Sequence, residues 1–263
     1  MVGPLVSTAS LTADLRALGI RPGTTLVVHS SLSSLGWVIG DAPAVIAALT
    51  DALGPDGTLA MPTHSGGLSD PANWVAPPVP IEWHSRIRAE MPPYDPAITP
   101  TRIMGAIPES FRSHPDVRRS AHPRQSFAAR GPQAAFITDD HALDCAMGER
   151  SPLGRLYDLD ADVLLLGVDH DRNTSMHLAE YRAHWPSKRS TTFGSPVMID
   201  GARRWLEVED LDFDDSDFAR LGEDFERDTE AALIGRVGAA SARLMRQRVL
   251  VDYAVDWIGR FRR

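Results

Sequence analysis

The sequence predicts an α/β fold, a largely parallel sheet with helices on its faces. Three observations carry this. Short unbroken apolar runs that suit buried strands stand at Thr24–His29, Gly57–Pro62 and Val163–Val168. Amphipathic stretches ending at glycine alternate with the first two of them. The chain has 263 residues, 43% of them apolar and 24% charged, enough to bury a large core.

Leu11–Leu18 reads as a helix stopped by Gly19, and Thr24–His29 as the strand after it. A serine-rich turn, Ser30 to Trp37, follows. Ala42–Leu53 is a second helix closed by Gly54, and Gly57–Pro62 a second strand. Nine prolines then crowd positions 62–100, which forbids long helices and central strands. Trp74, Trp83 and Tyr94 argue that this stretch packs, so an irregular Pro-rich lobe over the active-site edge is expected. Helices at Met104–Ser113 and from Pro132 to Ile137 flank a short strand, Ser126–Ala129. Asp200-Gly201 centres a β-hairpin over Pro196–Val208. Ala239–Val249 is expected to close the chain as a helix. One domain over residues 1–263 is the expected organisation.

Composition bounds the function. No apolar run reaches the ~20 residues of a membrane span, and the N-terminal residues lack signal-peptide character. Cys145 is the only cysteine, which excludes an internal disulfide and a cysteine metal cluster. Together these predict a cytoplasmic protein. Lys188 is the only lysine, and its setting fits neither a Schiff base nor a phosphate loop. The net charge of −8 is concentrated. Residues 207–230 hold twelve carboxylates against two arginines, a local balance of −10. Such a segment repels nucleic acid and anionic membrane and attracts cations; a solvated acidic surface would read the same way.

The most informative stretch is Val163 to Glu180. A buried strand runs into Asn173 or Ser175, either of which can cap a helix carrying His177, Glu180 and Tyr181 on one face. Ligands of α/β sheets bind at such strand ends, and histidine, with an ordinary pKa of about 6.5, suits acid–base work. A packed core histidine is the competing reading for His177. His170 and His177 with Glu180 form no defensible metal spacing. The serine turn can offer hydroxyls and N–H groups to an anionic ligand or merely cap the next helix. Arg118 and Arg119 beside His122 suit phosphate, or a surface loop. Asp210 and Asp212 alternate onto one strand face. Cys145 beside Asp144 is a poor nucleophile.

These pieces combine. His29-Ser30-Ser31-Leu32-Ser33-Ser34-Leu35-Gly36, Thr63 to Pro71, Tyr94-Asp95-Pro96, Thr99-Pro100-Thr101-Arg102, Arg119-Ser120-Ala121-His122-Pro123 and Leu164–Glu180 stand in the order and spacing of one family. Through them the chain resembles the aminoglycoside 3-N-acetyltransferases, the antibiotic N-acetyltransferases, over nearly its whole length. The resemblance implies a three-layer α/β/α sandwich with a central mixed, largely parallel sheet. It implies acetyl transfer from acetyl-CoA to the 3-amine of a 2-deoxystreptamine ring, and hence antibiotic resistance. His177 would be the base, with Glu180 on its face and Asp210 stabilising the imidazolium. Asp70, Asp212 and Tyr94 would meet the aminoglycoside, with the 207–230 segment facing it. Ser30, Ser31, Ser34, Leu35, Gly36, Arg119, Ser120, His122 and Phe127 would hold CoA. No metal, nucleic acid or membrane is implied, and the assembly would be a monomer or homodimer. Two rivals are an acyltransferase of this fold acting on another amine and a metal-dependent hydrolase built on His170, His177 and Glu180. A non-catalytic cation-binding module is a more distant third.

Overall fold

The computed structural model describes residues 3–263. Its centre is a seven-stranded mixed sheet. In spatial order the strands are Leu233–Val237, Ala240–Arg246, Asp162–Leu166, Thr25–Ser30, Thr58–Pro62, Phe127–Arg130 and Arg118–Arg119. The middle three are mutually parallel, and antiparallel pairs extend the sheet on both sides.

Strand alternation feeds two separate apolar clusters. Leu26 and Val28 join Leu164, Leu166, Leu59 and Met61 with helices Thr8–Leu18 and Asp41–Leu53. Val27, Val163, Leu165 and Ala60 point the other way, toward helices Ser175–Arg182, Phe218–Thr229 and Gln247–Phe261. The sequence explains the local starts and stops. Ser7 and Ser10 form a reciprocal capping box at the first helix, and Gly19 ends it at φ 120°. Asn173 Oδ1 accepts the Ser175 N–H at 3.2 Å just before the helix, whose cap position is Thr174 and neither of the two expected residues.

The expected closing helix at Ala239–Val249 is corrected. Ala240–Arg246 is a strand between Leu233–Val237 and Asp162–Leu166, and the helix begins only at Gln247. Ala, Leu, Met and Arg are good helix formers, yet buried Ala240, Ala242 and Leu244 alternate with Ser241 and Arg243. Tertiary packing of that two-residue period overrides local propensity.

The Asp200-Gly201 turn, with φ 50° and 74°, joins Ser190–Ile199 to Ala202–Leu211 in a separate two-stranded sheet. This arm is longer than the predicted hairpin. It is tied to residues 62–100 by Ser195 Oγ donating to the Leu68 carbonyl (2.8 Å) and Arg203 Nε to the Met91 carbonyl (2.8 Å). The proline-rich stretch contains only short 3-10 turns and the helix His84–Glu90. The acidic segment is ordered structure: the second arm strand, then helix Phe218–Thr229.

Gly222 lets that helix lie on His170: a Cβ there would stand 1.9 Å from the imidazole Cγ. Gly222→Ala is therefore expected to cost about 1–3 kcal/mol by overpacking, read as a lower urea midpoint.

Candidate active site

The parallel strands Thr25–Ser30 and Asp162–Leu166 end side by side, and the chain leaves them in different directions. The first runs into the serine turn; the second passes through Gly167 to the helix bearing His177. A crevice at such a divergence is where α/β sheets take ligands. Gly167, at φ 71°, permits the close approach, because a Cβ there would meet the Ser34 Cβ at 2.5 Å.

The serine turn borders a cavity of about 690 Å³. Ser30, Ser31, Gly36, Ile103, Arg172 and Thr174 are among its walls. The Ser30 hydroxyl is buried with no hydrogen-bond partner, an unusual cost unless a ligand meets it. Ser34 and Leu35 brace the turn from behind. Ser34 Oγ donates to the Gly167 carbonyl (3.0 Å), and Leu35 is fully buried.

Arg119, Ser120, His122 and Phe127 do not border this cavity. The Arg119 guanidinium is spent on Thr63, Ser126, Pro96 and Thr99. Ser120 Oγ accepts the Phe127 N–H and contacts His141 Nδ1, both at 2.9 Å. His122 Nδ1 accepts the N–H groups of Arg124 and Gln125. These residues shape the loop beside strand Thr58–Pro62. Tyr94 belongs to the same scaffold, its hydroxyl donating to the Ser120 carbonyl at 2.9 Å.

His177 and Glu180 come together as their spacing requires. Nδ1 lies 2.5 Å from Glu180 Oε2, which leaves Nε2 as the free ring nitrogen. The ring packs between Phe213 (5.0 Å) and Phe218 (4.9 Å). Glu180 is completely buried. Its other oxygen accepts the Asp214 N–H (3.0 Å) and pairs with Arg262 Nη1 at 2.6 Å. A buried carboxylate needs such compensation. His29 contacts Thr174 Oγ1 at 3.5 Å. Burial, reinforced by His177, drives its pKa down to about 3, so it stays neutral near pH 7.

Asp210 does not touch His177. Its carboxylate accepts from Tyr181 Oη (2.6 Å), the Ala146 N–H (2.9 Å) and the Leu211 N–H (2.8 Å). It thereby clamps the arm to the helix that carries His177. The carboxylate on the imidazole is Glu180 alone among the carboxylates predicted for the site. Asp212 pairs with Arg189 (2.7 Å), and Asp70 takes a two-point grip from Arg88 at 2.9 and 2.8 Å. Burial pushes the Asp70 carboxyl up, but Arg88 and the Ala72 N–H outweigh it and leave the group below its ordinary range.

His170 is held by Glu226 (2.9 Å), apart from the His177–Glu180 pair. Among the described residues, no three His, Cys, Asp or Glu side chains converge as a metal site. Among the described residues no helix is long and apolar enough to cross a membrane. Cys145 is buried, and that burial raises its thiol pKa. Sequence reasoning missed Arg262, which lies 82 residues from Glu180 and has no local pattern to announce it.

Comparison with known proteins decides the family. The model of the aminoglycoside 3-N-acetyltransferases matches residues 27–259. The chain belongs to the aminoglycoside 3-N-acetyltransferase family. It is 47% identical over 249 residues to the prophage-derived aminoglycoside N(3')-acetyltransferase-like protein YokD of Bacillus subtilis, covering 94% of this chain and 90% of that one. The crystal structure of YokD superposes with a TM-score of 0.95 at 45% identity, covering 98% and 94%. Aminoglycoside N(3)-acetyltransferase VII of Streptomyces paromomycinus is 39% identical, covering 97% and 92%. Two ligand-bound acetyltransferase structures are also similar. AAC-IIIb with CoASH has a TM-score of 0.86 at 31% identity, covering 97% of each chain. AAC-VIa with sisomicin has a TM-score of 0.87 at 30% identity, covering 97% and 98%. These solved structures share the fold of this chain over nearly its whole length.

Proposed function

We propose that this chain transfers the acetyl group of acetyl-CoA directly to the 3-amino group of a 2-deoxystreptamine aminoglycoside. The observation that carries this is the His177–Glu180 pair standing at the strand ends that also border the serine-turn cavity. Family membership supplies the chemistry, and the CoA- and sisomicin-bound relatives support the two ligands.

The residues present suit CoA. Ser30, Ser31 and Gly36 would hold it, with the unpartnered Ser30 hydroxyl as one donor and Arg172 as a cation in the same cavity. When bound, acetyl-CoA supplies an acetyl thioester already activated for attack. The chain must then deprotonate the attacking amine. Glu180 accepts the Nδ1 proton of His177 and fixes the tautomer whose Nε2 carries a lone pair. Nε2 takes the proton the amine loses as its nitrogen bonds the acetyl carbon and the C–S bond breaks; Glu180, held by Arg262, stabilises the imidazolium, which would return the proton to the departing thiolate. Phe213 and Phe218 pack against the ring and help to confine it. Cys145, the only cysteine, is buried and offers no thiol nucleophile.

Asp210 acts in this reading by anchoring Tyr181, one turn from His177. Asp70 and Asp212 would exchange Arg88 and Arg189 for ammonium groups of the drug. A three-layer arrangement, with the 62–100 stretch and the arm forming the acceptor side of one domain, belongs to the same reading. Acetylation replaces an ammonium by a neutral amide and so removes one charge from a polycationic drug. The arginine pairs on Asp70 and Asp212 also favour a second reading, transfer to a less cationic amine.

A thiol-release assay with acetyl-CoA separates the two. Release of CoA with aminoglycosides, and mass and NMR spectra placing the acetyl group on the 3-amine, are expected. Release only with other amines would replace the first reading by the second. An acetylated protein formed from acetyl-CoA alone would overturn direct transfer.

A further inference from the structure

We propose that Arg262 is a positioning residue for the reaction: its guanidinium fixes the Glu180 carboxylate and bolts down the 213–218 segment whose two phenylalanines confine His177. The proposal rests on the acyl-transfer reading for its kinetic consequences, but the geometry stands by itself.

Arg262 is buried, and each arm of its planar fork has an assignment. Nη1 holds Glu180 Oε1 at 2.6 Å. Nε and Nη2 grip the Asp217 carboxylate at 2.9 and 2.6 Å, and Nη2 also donates to the Asp214 carbonyl at 2.5 Å. The Asp214 N–H returns to the same Glu180 oxygen. One side chain thus joins the last residue of the Glu180 dyad to the loop that supplies Phe213 and Phe218. The guanidinium also lies 5.3 Å from the Trp185 ring and 5.8 Å from that of Phe218.

No neighbour can take this task over. Lys188, the other cation near Glu180, spends its ammonium on the carbonyls of Tyr181 (2.7 Å) and Ala183 (2.9 Å). His29 and His64 face His177 from other elements and are held neutral by burial. Removing Arg262 would therefore leave a fully buried carboxylate with one N–H and one imidazole, and the pair would lose its fixed geometry. A planar fork with this many partners is not replaced by a point charge, so lysine should restore only part of the function.

The test uses the whole protein with Arg262→Ala, Arg262→Lys and the milder Arg262→Gln. The first readout needs no activity: the proton on His177 Nδ1, bonded to a buried carboxylate, should give a low-field resonance in ¹⁵N-histidine-labelled wild type. Loss of that resonance is expected in Arg262→Ala, together with a kcat lower by roughly 10–100-fold at nearly unchanged KM for acetyl-CoA. Partial recovery of both is expected in Arg262→Lys. If the alanine variant does not fold, the glutamine variant is read in the same way. A folded variant that keeps the resonance and the wild-type kcat overturns the proposal. So does a kcat loss no greater than the unfolded fraction measured by circular dichroism. Wild-type protein that transfers acetyl groups to no amine would defeat the functional reading, while the resonance would still decide the role of Arg262.

Discussion

Turnover should fall by roughly 10²–10⁴-fold when His177 is replaced by alanine, while CoA continues to bind. The two halves of this expectation have separate structural causes. The imidazole is fixed by a buried carboxylate, and its helix follows strand Asp162–Leu166. Without it the amine must lose its proton to water. The serine-turn cavity, by contrast, is built from Ser30, Ser31, Gly36 and their neighbours and does not include His177. Calorimetric titration with CoA should give similar affinity for both proteins, and thiol release should differ by orders of magnitude. Near-normal turnover in the variant would remove His177 from the base role. Glu180→Gln should lie between wild type and His177→Ala, since it keeps a hydrogen-bond acceptor but loses the charge that stabilises the imidazolium.

The second large effect is on stability. Acidification from pH 6.5 should unfold the protein steeply, because burial favours the neutral form of several histidines. Burial lowers the pKa of His29 to about 3 and of His141 to about 4. His64 and His122 are driven well below the ordinary value, again chiefly by burial. The sign follows from linkage. A depressed folded-state pKa gives stability that is complete above about pH 6.5 and is lost as pH falls toward the folded value. Across that window the unfolded chain binds protons that the native chain refuses. Each histidine then withdraws roughly 1 kcal/mol per pH unit. Four of them would consume most of an ordinary stability of about 5–15 kcal/mol before pH 4. Urea midpoints measured between pH 7 and 5 should drop sharply, with uptake of about four protons per molecule on unfolding. A flat profile over that interval would show that these rings accept protons in the native state.

The sequence reveals the parts of this molecule whose signals are local. Thr24–His29, Gly57–Pro62 and the strand before His177 are legible because a doubly covered strand needs an unbroken apolar run. The Asp200-Gly201 turn is legible because few dipeptides tolerate two successive positive φ angles. His177 and Glu180 are legible as a pair because three residues make one helical turn. Interactions that cross the chain are not. The strand Ala240–Arg246 has helix-forming residues, and only its neighbours on both sides make it a strand. The resemblance assigns Asp210 to the His177 imidazolium, yet Tyr181 captures it through a contact spanning 29 residues. Arg88 and Arg189 occupy Asp70 and Asp212 in the same way. Arg119, Ser120, His122 and Phe127 form a motif, and a motif that stiffens a loop looks like one that holds a ligand.

The long two-stranded arm has no backbone pairing with the seven-stranded sheet, which it meets through side chains and loops. Its length and tip can therefore vary during evolution without shifting the register of any strand that leads to His177 or to the serine turn. Selection for new acceptors would have a place to experiment, and the proton-handling apparatus would be inherited unchanged.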